Sequence, residues 1–438
     1  MQKRVLSSAI ALALTALASG SALAQSSVTI YGNIDVSFDR IKKDAGSADY
    51  TALIGSAGNA AINGRQSITR VGPDMSSQSS LGFKGVEDLG GGYKGNFVLE
   101  GQMGIDNGAL LRDGRLFGRQ AFVGLTTPFG ELRLGRQYAP IFFSSAVITT
   151  ERFGGTDQFV EGGLTNALNI RWDNAITYSA QVDGFRGQLG FSPNAGVADF
   201  VNANRGAAGG DANGSILGGN NSGSSSEKTS GRGRSYGAFG AYNLQDLTLS
   251  LGYGATSFKN VNVGLLTASS TPTALFQLGD YKVWNLGAKY VLKDLGLTFN
   301  GTFGRGTYDV SLANVSAGGA AIARNVLGLE TGSLAVSSLV LGTRYDIGAM
   351  GFLAQWSEVK FRNEGRGKNQ GITLGAEYSL SKRTTLYTRY AQVKDSGTGP
   401  AVVFALTGIR EVPSLGLSVP PAPDGKVSMF GLGVRHNF

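Results

Sequence analysis

The residues that could do chemistry in this chain are few in kind. It has no cysteine and a single histidine, His436. Without thiols there are no disulfides, no thiolate-bound zinc and no cysteine nucleophile. A lone histidine so late in the sequence gives little scope for imidazole acid–base or metal chemistry. It is also badly placed to serve as the base of a hydroxyl nucleophile. The chain is therefore not expected to be an enzyme, and no metal or cofactor is expected. What remains is charge. Lys and Arg together number 39 against 31 Asp and Glu, a formal +8. Lys3 and Arg4 supply two of these, so the chain beyond them carries +6. A modest positive excess suits nucleic acid, a membrane surface or an anion-preferring pore. The absence of any dense Lys/Arg run disfavours nucleic acid.

The charges sit in a distinctive pattern. Ile30, Gly32, Ile34, Val36 and Phe38 fall on one side of a period-two alternation, and Tyr31, Asn33, Asp35 and Ser37 on the other. Leu247, Leu249, Leu251 and Tyr253 alternate with Thr248, Ser250 and Gly252. Leu297, Phe299 and Phe303 alternate with Thr298, Asn300 and Thr302. Ile372, Leu374, Ala376 and Tyr378 alternate with Thr373, Gly375 and Glu377. Each run predicts a β-strand with one apolar face. The other face carries Asp35, Lys289, Arg344, Asp346 and Glu377. A soluble sandwich and a membrane barrel both alternate, so the pattern alone leaves both open.

The N-terminal residues decide part of this. Lys3 and Arg4 precede a mostly apolar stretch from Val5 to Ala18, and Ser21-Ala22-Leu23-Ala24 ends in a small-x-small pattern. Residues 1–24 are read as a secretory signal peptide for Sec export, cut before Gln25. The apolar stretch is shorter than the roughly 20 residues a spanning helix needs. No later segment reaches that length. A membrane-integral form must then be a closed β-barrel, because lipid offers the backbone no hydrogen-bond partners.

The connections between strands alternate in length. The short ones are Asp88 to Gly92, Pro128-Phe129-Gly130, Asp183-Gly184, Leu244 to Asp246, Lys293-Asp294, Gly348-Ala349 and Ser381-Lys382-Arg383. Between them lie long polar connections rich in Gly, Ser and Asn. Residues 202–234 form the most biased of these and are expected to be a long external loop rather than an interdomain linker. Residues 401–424 are partly apolar and are expected to fold over a neighbour or the barrel mouth. The hairpin tally gives about sixteen strands, enough for a water-filled lumen. The expected architecture is all-β, a single transmembrane antiparallel barrel over residues 25–438. Its short turns face the periplasm and its long loops face outward. At its end Phe430, Leu432, Val434, His436 and Phe438 share one face. An aromatic Phe438 closing such a strand reads as the signal by which the barrel-assembly machinery inserts outer-membrane proteins.

These motifs together resemble a known family. Ser27-Val28-Thr29-Ile30-Tyr31-Gly32 is similar to the first strand of general diffusion porins of β-proteobacteria, the Neisseria and Burkholderia type. Leu81-Gly82-Phe83-Lys84-Gly85 with Glu87-Asp88-Leu89-Gly90 resembles that family's second strand and turn. Arg119-Gln120-Ala121-Phe122-Val123-Gly124-Leu125 and Gly135-Arg136-Gln137 resemble the strands before its constriction loop. Leu380-Ser381-Lys382-Arg383-Thr384 and Val434-Arg435-His436-Asn437-Phe438 match its late turn and terminus. The resemblance spans nearly the whole chain beyond the signal peptide.

It implies a sixteen-stranded barrel, a homotrimer in contact with outer-membrane lipid and lipopolysaccharide, and passive diffusion of small hydrophilic solutes and ions. It also implies a third loop folded inward, here about residues 139–168, bearing Glu151, Asp157 and Glu161. Arg119 and Arg171 match the opposing basic wall, and Arg136 matches it less closely. Opposed carboxylates and guanidiniums would set a transverse field across a narrow aqueous gap, focused by low-dielectric walls. Arginine suits such a wall because it stays charged at any relevant pH. Ser80 stands where the family often has an arginine, and Asn33 where some members have a lysine. Both departures lower the positive charge of the wall, so the expected anion preference is mild. The alternative is a substrate-specific channel for a sugar, phosphate or organic acid, which would need a track of aromatic or basic residues down the lumen. An autotransporter would need a large passenger segment, which the sequence lacks.

Overall fold

The computed structural model describes residues 27–44, 65–110, 115–150, 171–196, 200–202, 233–266, 272–325, 330–361, 367–396 and 425–438. The expected signal segment, nearly all of residues 202–234, and residues 401–424 lie outside them. The strands are β1 (Ser27–Lys43), β2 (Gln66–Pro73), β3 (Ser80–Gly90), β4 (Tyr93–Gln102), β5 (Gln120–Thr127), β6 (Gly130–Tyr138), β7 (Arg171–Val182), β8 (Phe185–Ser192) and β9 (Phe200–Asn202). They continue with β10 (Arg234–Leu244), β11 (Leu247–Leu266), β12 (Pro272–Leu292), β13 (Leu297–Ser311), β14 (Gly332–Ile347), β15 (Met350–Phe361), β16 (Lys368–Ser379), β17 (Thr384–Ser396) and β18 (Lys426–Asn437). Among the described residues two short α-helices join them, α1 (Pro140–Ala146) and α2 (Ala317–Asn325). Among the described residues no helix is long and apolar enough to cross a membrane.

Each strand of the wall pairs antiparallel with its neighbours, and β1 closes the ring against β18 from Asn33↔Asn437 to Lys43↔Val427. The backbone of Phe438 extends that seam, donating to Gly32 O at 3.1 Å and accepting from Gly32 N at 3.2 Å. Three-residue β9 runs parallel to β11 and adds no stave. Strands β2 and β3 share one stave, β2 against Val36–Lys43 of β1 and β3 against Ser27–Asn33. The eighteen strands therefore make a closed barrel of sixteen staves, the number the hairpin tally predicted. Closure leaves no sheet edge exposed, which is the condition for a sheet to sit in lipid.

The polarity is inside-out relative to a soluble sandwich. On β1, Phe38 is 62% exposed on the outer surface while Asp35, Ser37 and Asp39 are buried. Leu249 and Leu251 point outward and Ser250 inward, and Leu374 points outward beside buried Thr373. The apolar face so exposed runs around the ring, with Tyr290↔Phe299 and Tyr345↔Phe352 paired near one rim. That rim carries the short turns. At Asp183-Gly184 both residues have positive φ, 44° and 80°, as a two-residue hairpin requires. Lys293, in the turn after β12, is held above the usual lysine range by its hydrogen bond to Asp246, 2.5 Å away.

One feature of the second stave has no sequence signal. Between Pro73, opposite Val36, and Ser80, opposite Asn33, the chain takes seven steps against three on β1. The surplus folds into the barrel. Met75 packs among Ile41, Tyr387, Val427 and Met429, and Ser76 to Ser79 are buried. Asp35 receives the Ser76 and Ser77 amides at 3.2 and 2.8 Å, and Asp74 receives the Ser79 amide at 2.6 Å.

Candidate functional site

The interior of the barrel is where charged side chains converge, because every second residue of every stave must point there. Arg119 leads into β5. It pairs with Glu100 of β4, donates to Gln78 Oε1 at 2.5 Å and donates to the Tyr138 hydroxyl at 3.0 Å. Glu100 in turn accepts from Tyr31 at 2.8 Å. Arg171, the first residue of β7, donates to the same Tyr138 hydroxyl at 2.6 Å and lies 4.3 Å over that ring. Among the described residues Arg171 has no carboxylate partner. The structure thus brings Arg119 and Arg171 together around one tyrosine, at the point where the chain leaves the wall.

Arg136 behaves differently. It sits at a bulge, where the β6–β7 register shifts between Gly135 and Gln137. Its guanidinium turns to Gly118 O at 2.7 Å and pairs with Asp173, which Arg115 also holds at 3.0 Å. Two cations share one carboxylate there, and Asp173 was not singled out by the sequence. Ser80, in the place of the arginine the family often carries, is buried.

After Tyr138 the chain turns inward. Pro at the first turn of α1 supplies the fixed φ that helix initiation favours. Ile141, Phe142, Ser144 and Ser145 of this helix are buried against β8, β10, β11 and β12. Ser250 donates to Ser144 O at 2.7 Å, Asn285 donates to the Ser144 and Ser145 hydroxyls at 2.9 and 3.0 Å, and Lys289 donates to Val147 O at 2.7 Å. Glycines make the approach possible. A Cβ on Gly287 would lie 2.6 Å from Ile148 Cγ1, and one on Gly252 2.5 Å from Ser144 Oγ. The described start of the third connection, residues 139–150, is therefore folded inward against the lumen wall, as expected. Its continuation holds Glu151, Asp157 and Glu161, which lie outside the described residues. Tyr138, Phe142, Phe143 and Phe239 follow one another along it, stacked, edge-on and tilted in turn, with ring centroids 4.1, 5.3 and 5.9 Å apart.

A second charged cluster lies on the wall that closes the ring. Glu377 of β16 receives Arg389 of β17 at 2.6 Å, Arg344 of β14 at 3.0 Å and Arg435 of β18 at 3.3 Å. Arg435 also reaches the Ser76 hydroxyl, and the Tyr387 hydroxyl binds Asp35. The alternation placed Asp35, Arg344 and Glu377 on the face opposite the apolar one, which closure of the ring makes the inner face. It gave no hint that three guanidiniums meet on one carboxylate, because the partners come from different staves. Nearer the short turns, Lys84, Arg133, Arg186 and Lys289 occupy inward positions, of which Arg133 pairs with Glu131 at 2.6 Å.

This arrangement can orient and sort charged solutes in water, and it has close counterparts. Residues 9–398 match a family model described as Gram-negative porin. The chain is 30% identical to outer membrane porin protein 32 of Delftia acidovorans over 404 residues, covering 89% of each. It is 28% identical to an outer membrane porin protein of Bordetella pertussis over 462 residues, covering 98% of this chain and 99% of that one. Among solved structures it resembles an anion-selective porin from Comamonas acidovorans in fold, with a TM-score of 0.60 at 24% identity over 94% of this chain and 100% of the other.

Proposed function

The chain belongs to the Gram-negative porin family and forms an outer-membrane channel for passive diffusion of small hydrophilic solutes and ions; within it we propose that Arg119 and Arg171 are the basic wall of a constriction and Glu151, Asp157 and Glu161 its acidic lip, giving a mild anion preference. The observation that carries this reading is the pair of guanidiniums on Tyr138, at the step where the third connection enters the lumen. Glu100 offsets part of the charge of Arg119, so Arg171 is the stronger contributor to the transverse field. Arg136 contributes least, because Asp173 holds it. The inward Lys84, Arg186 and Lys289 add positive potential below the constriction, and the Comamonas channel of the same fold is described as anion-selective. The test is the reversal potential across a salt gradient in planar bilayers. Anion preference is expected, with a shift toward cations for Arg119→Glu and a larger one for Arg171→Glu. A cation-preferring parent protein, or variants with unchanged potentials, would refute the assignment.

A second reading, a channel selective for organic acids, is favoured by one observation, the aromatic run from Tyr138 to Phe239 beside those arginines. It predicts saturable block of conductance by benzoate and none by acetate at equal concentration.

We propose further that the chain works as a homotrimer, as is typical of the family, and that residues 1–24 are removed after export. On this reading Phe438 is the assembly signal for the barrel-assembly machinery. Its seat on the seam with β1 supports the last point, since the closing strand must be recognised as the ring forms.

A further inference from the structure

The wall that faces Tyr138 across the lumen has a different chemistry from the arginines. Counted from β1, β6 is the fifth stave and β15 the thirteenth, so in a ring of sixteen they stand on opposite sides. On that far wall the register aligns one row of inward positions. Asn300 of β13 pairs with Gly342 of β14, Gly342 with Gln355 of β15, and Gln355 with Thr373 of β16. None of the four is ionisable. Their strands show which way they point, with Phe352, Ile372 and Leu374 exposed outside and Asn300, Gln355 and Thr373 buried inside.

The row is buried without being satisfied. Gln355 is 3% exposed, and neither polar atom of its amide has a hydrogen-bond partner among the described residues. Thr373 is fully buried, and its hydroxyl has none either. Asn300 accepts from the Thr150 hydroxyl at 2.9 Å, but its amide nitrogen donates to nothing among the described residues. Buried polar groups are rarely left unpaired, because each then keeps the full cost of leaving water. Four such atoms on three neighbouring side chains of one row mark a place where something from outside the wall bonds.

The surroundings suit a small neutral solute. A Cβ on Gly342 would lie 2.5 Å from Asn300 Oδ1, so the glycine lets the Asn300 side chain lie across toward Gln355. At about 4.8 Å between strands the row spans roughly 14 Å from Asn300 to Thr373. Leu353, the next inward residue of β15 toward the short turns, adds apolar surface beneath it. Level with Leu353, Arg344 and Arg389 flank the site, and both are bound to Glu377.

The unpaired atoms restrict the chemistry of the ligand. Gln355 offers both donors and an acceptor, Thr373 serves as either, and Asn300 donates. A carboxylate or phosphate only accepts and would leave Gln355 Oε1 unpaired. An ammonium only donates and would leave both amide nitrogens unpaired. A hydroxyl does both. Resting on the channel reading, we propose that this row is a binding site for neutral polyhydroxylated solutes such as sugars. The lumen then has two walls with separate tasks, the arginines for anions and the uncharged row for polyols. Water, or the chain's own third connection, which reaches the row at Asn300, would satisfy the same atoms without binding a sugar, and the test separates these cases.

The experiment records ion current through the full-length channel in planar bilayers as maltose is added. The current is expected to fall saturably. Gln355→Leu should raise the half-blocking concentration on the order of tenfold, because it removes a donor group and an acceptor with little change in volume. Thr373→Val should raise it about fivefold, and it reads the same site if Gln355→Leu does not insert. Current that declines without saturating overturns the proposal and leaves the row to water or to the chain itself. Saturable block that both variants leave unchanged also overturns it, since the sugar then binds elsewhere. So does block that Arg171→Glu abolishes and Gln355→Leu does not, which would place the sugar on the arginine wall. Absence of any ion current in the parent would instead refute the channel.

Discussion

At the scale of single residues, the interior is governed by how each charge is neutralised. Glu377 is the sharpest case. It lies 8% exposed with guanidiniums from three other staves upon it. Removing one member of a buried ion pair costs about 3–5 kcal/mol, because the remaining charge is left without a partner. Glu377→Gln removes the carboxylate that three guanidiniums share, although Arg344 keeps Asp346 and Arg435 keeps Ser76. It should lower the stability of the barrel by about that amount, read as a drop in the urea midpoint for refolding into detergent. An unchanged midpoint would mean that water already screens the cluster. Arg136 illustrates the opposite outcome. A sequence match placed it with the basic wall, but the bulge at Gly135 turned it to Asp173.

At the scale of elements, the inward third connection depends on glycines in the wall behind it. Helix α1 has only seven residues, too few to be stable alone. It is held by Ser250, Asn285 and Lys289 and by the close approach that Gly252 and Gly287 allow. Gly287→Val has no space against Ile148 and should push the connection into the lumen. Single-channel conductance is expected to fall by a clearly resolved step while the barrel still forms. Conductance equal to the parent would show that the connection does not narrow the pore. The inward turn after Pro73 is a second such device, tying β2 and β3 to the closing strand through Met75, Asp35 and Arg435.

At the scale of the whole molecule, one closed sheet separates two solvents. Lipid meets the outward aliphatic and aromatic side chains, and water meets the inward charges and amides. This division accounts for a mean hydropathy of −0.02 in a membrane protein. A homotrimer of such channels should close in three equal conductance steps in planar bilayers. Isolated single steps at every protein concentration would count against the trimer.

The sequence by itself determined the barrel. Period-two alternation is local, hairpin turns are local, and together they set strand number, loop asymmetry and which residues share a face; the signal segment and the terminal strand then made the polar face the inner one. Asp35, Arg344 and Glu377 were legible as interior for that reason, and Phe438 as part of the outward face of the last strand. Tertiary structure alone decided who meets whom. The convergence of Arg344, Arg389 and Arg435 on Glu377 joins staves β14, β16, β17 and β18, and the contact of Arg435 with Ser76 exists only once β18 has closed on β1. The meeting of Arg119 and Arg171 at Tyr138 likewise brings residues far apart in the chain onto one point of the wall. Facing direction follows from a residue's own strand, whereas height around a ring follows from register between strands, and register is fixed only when the ring is complete.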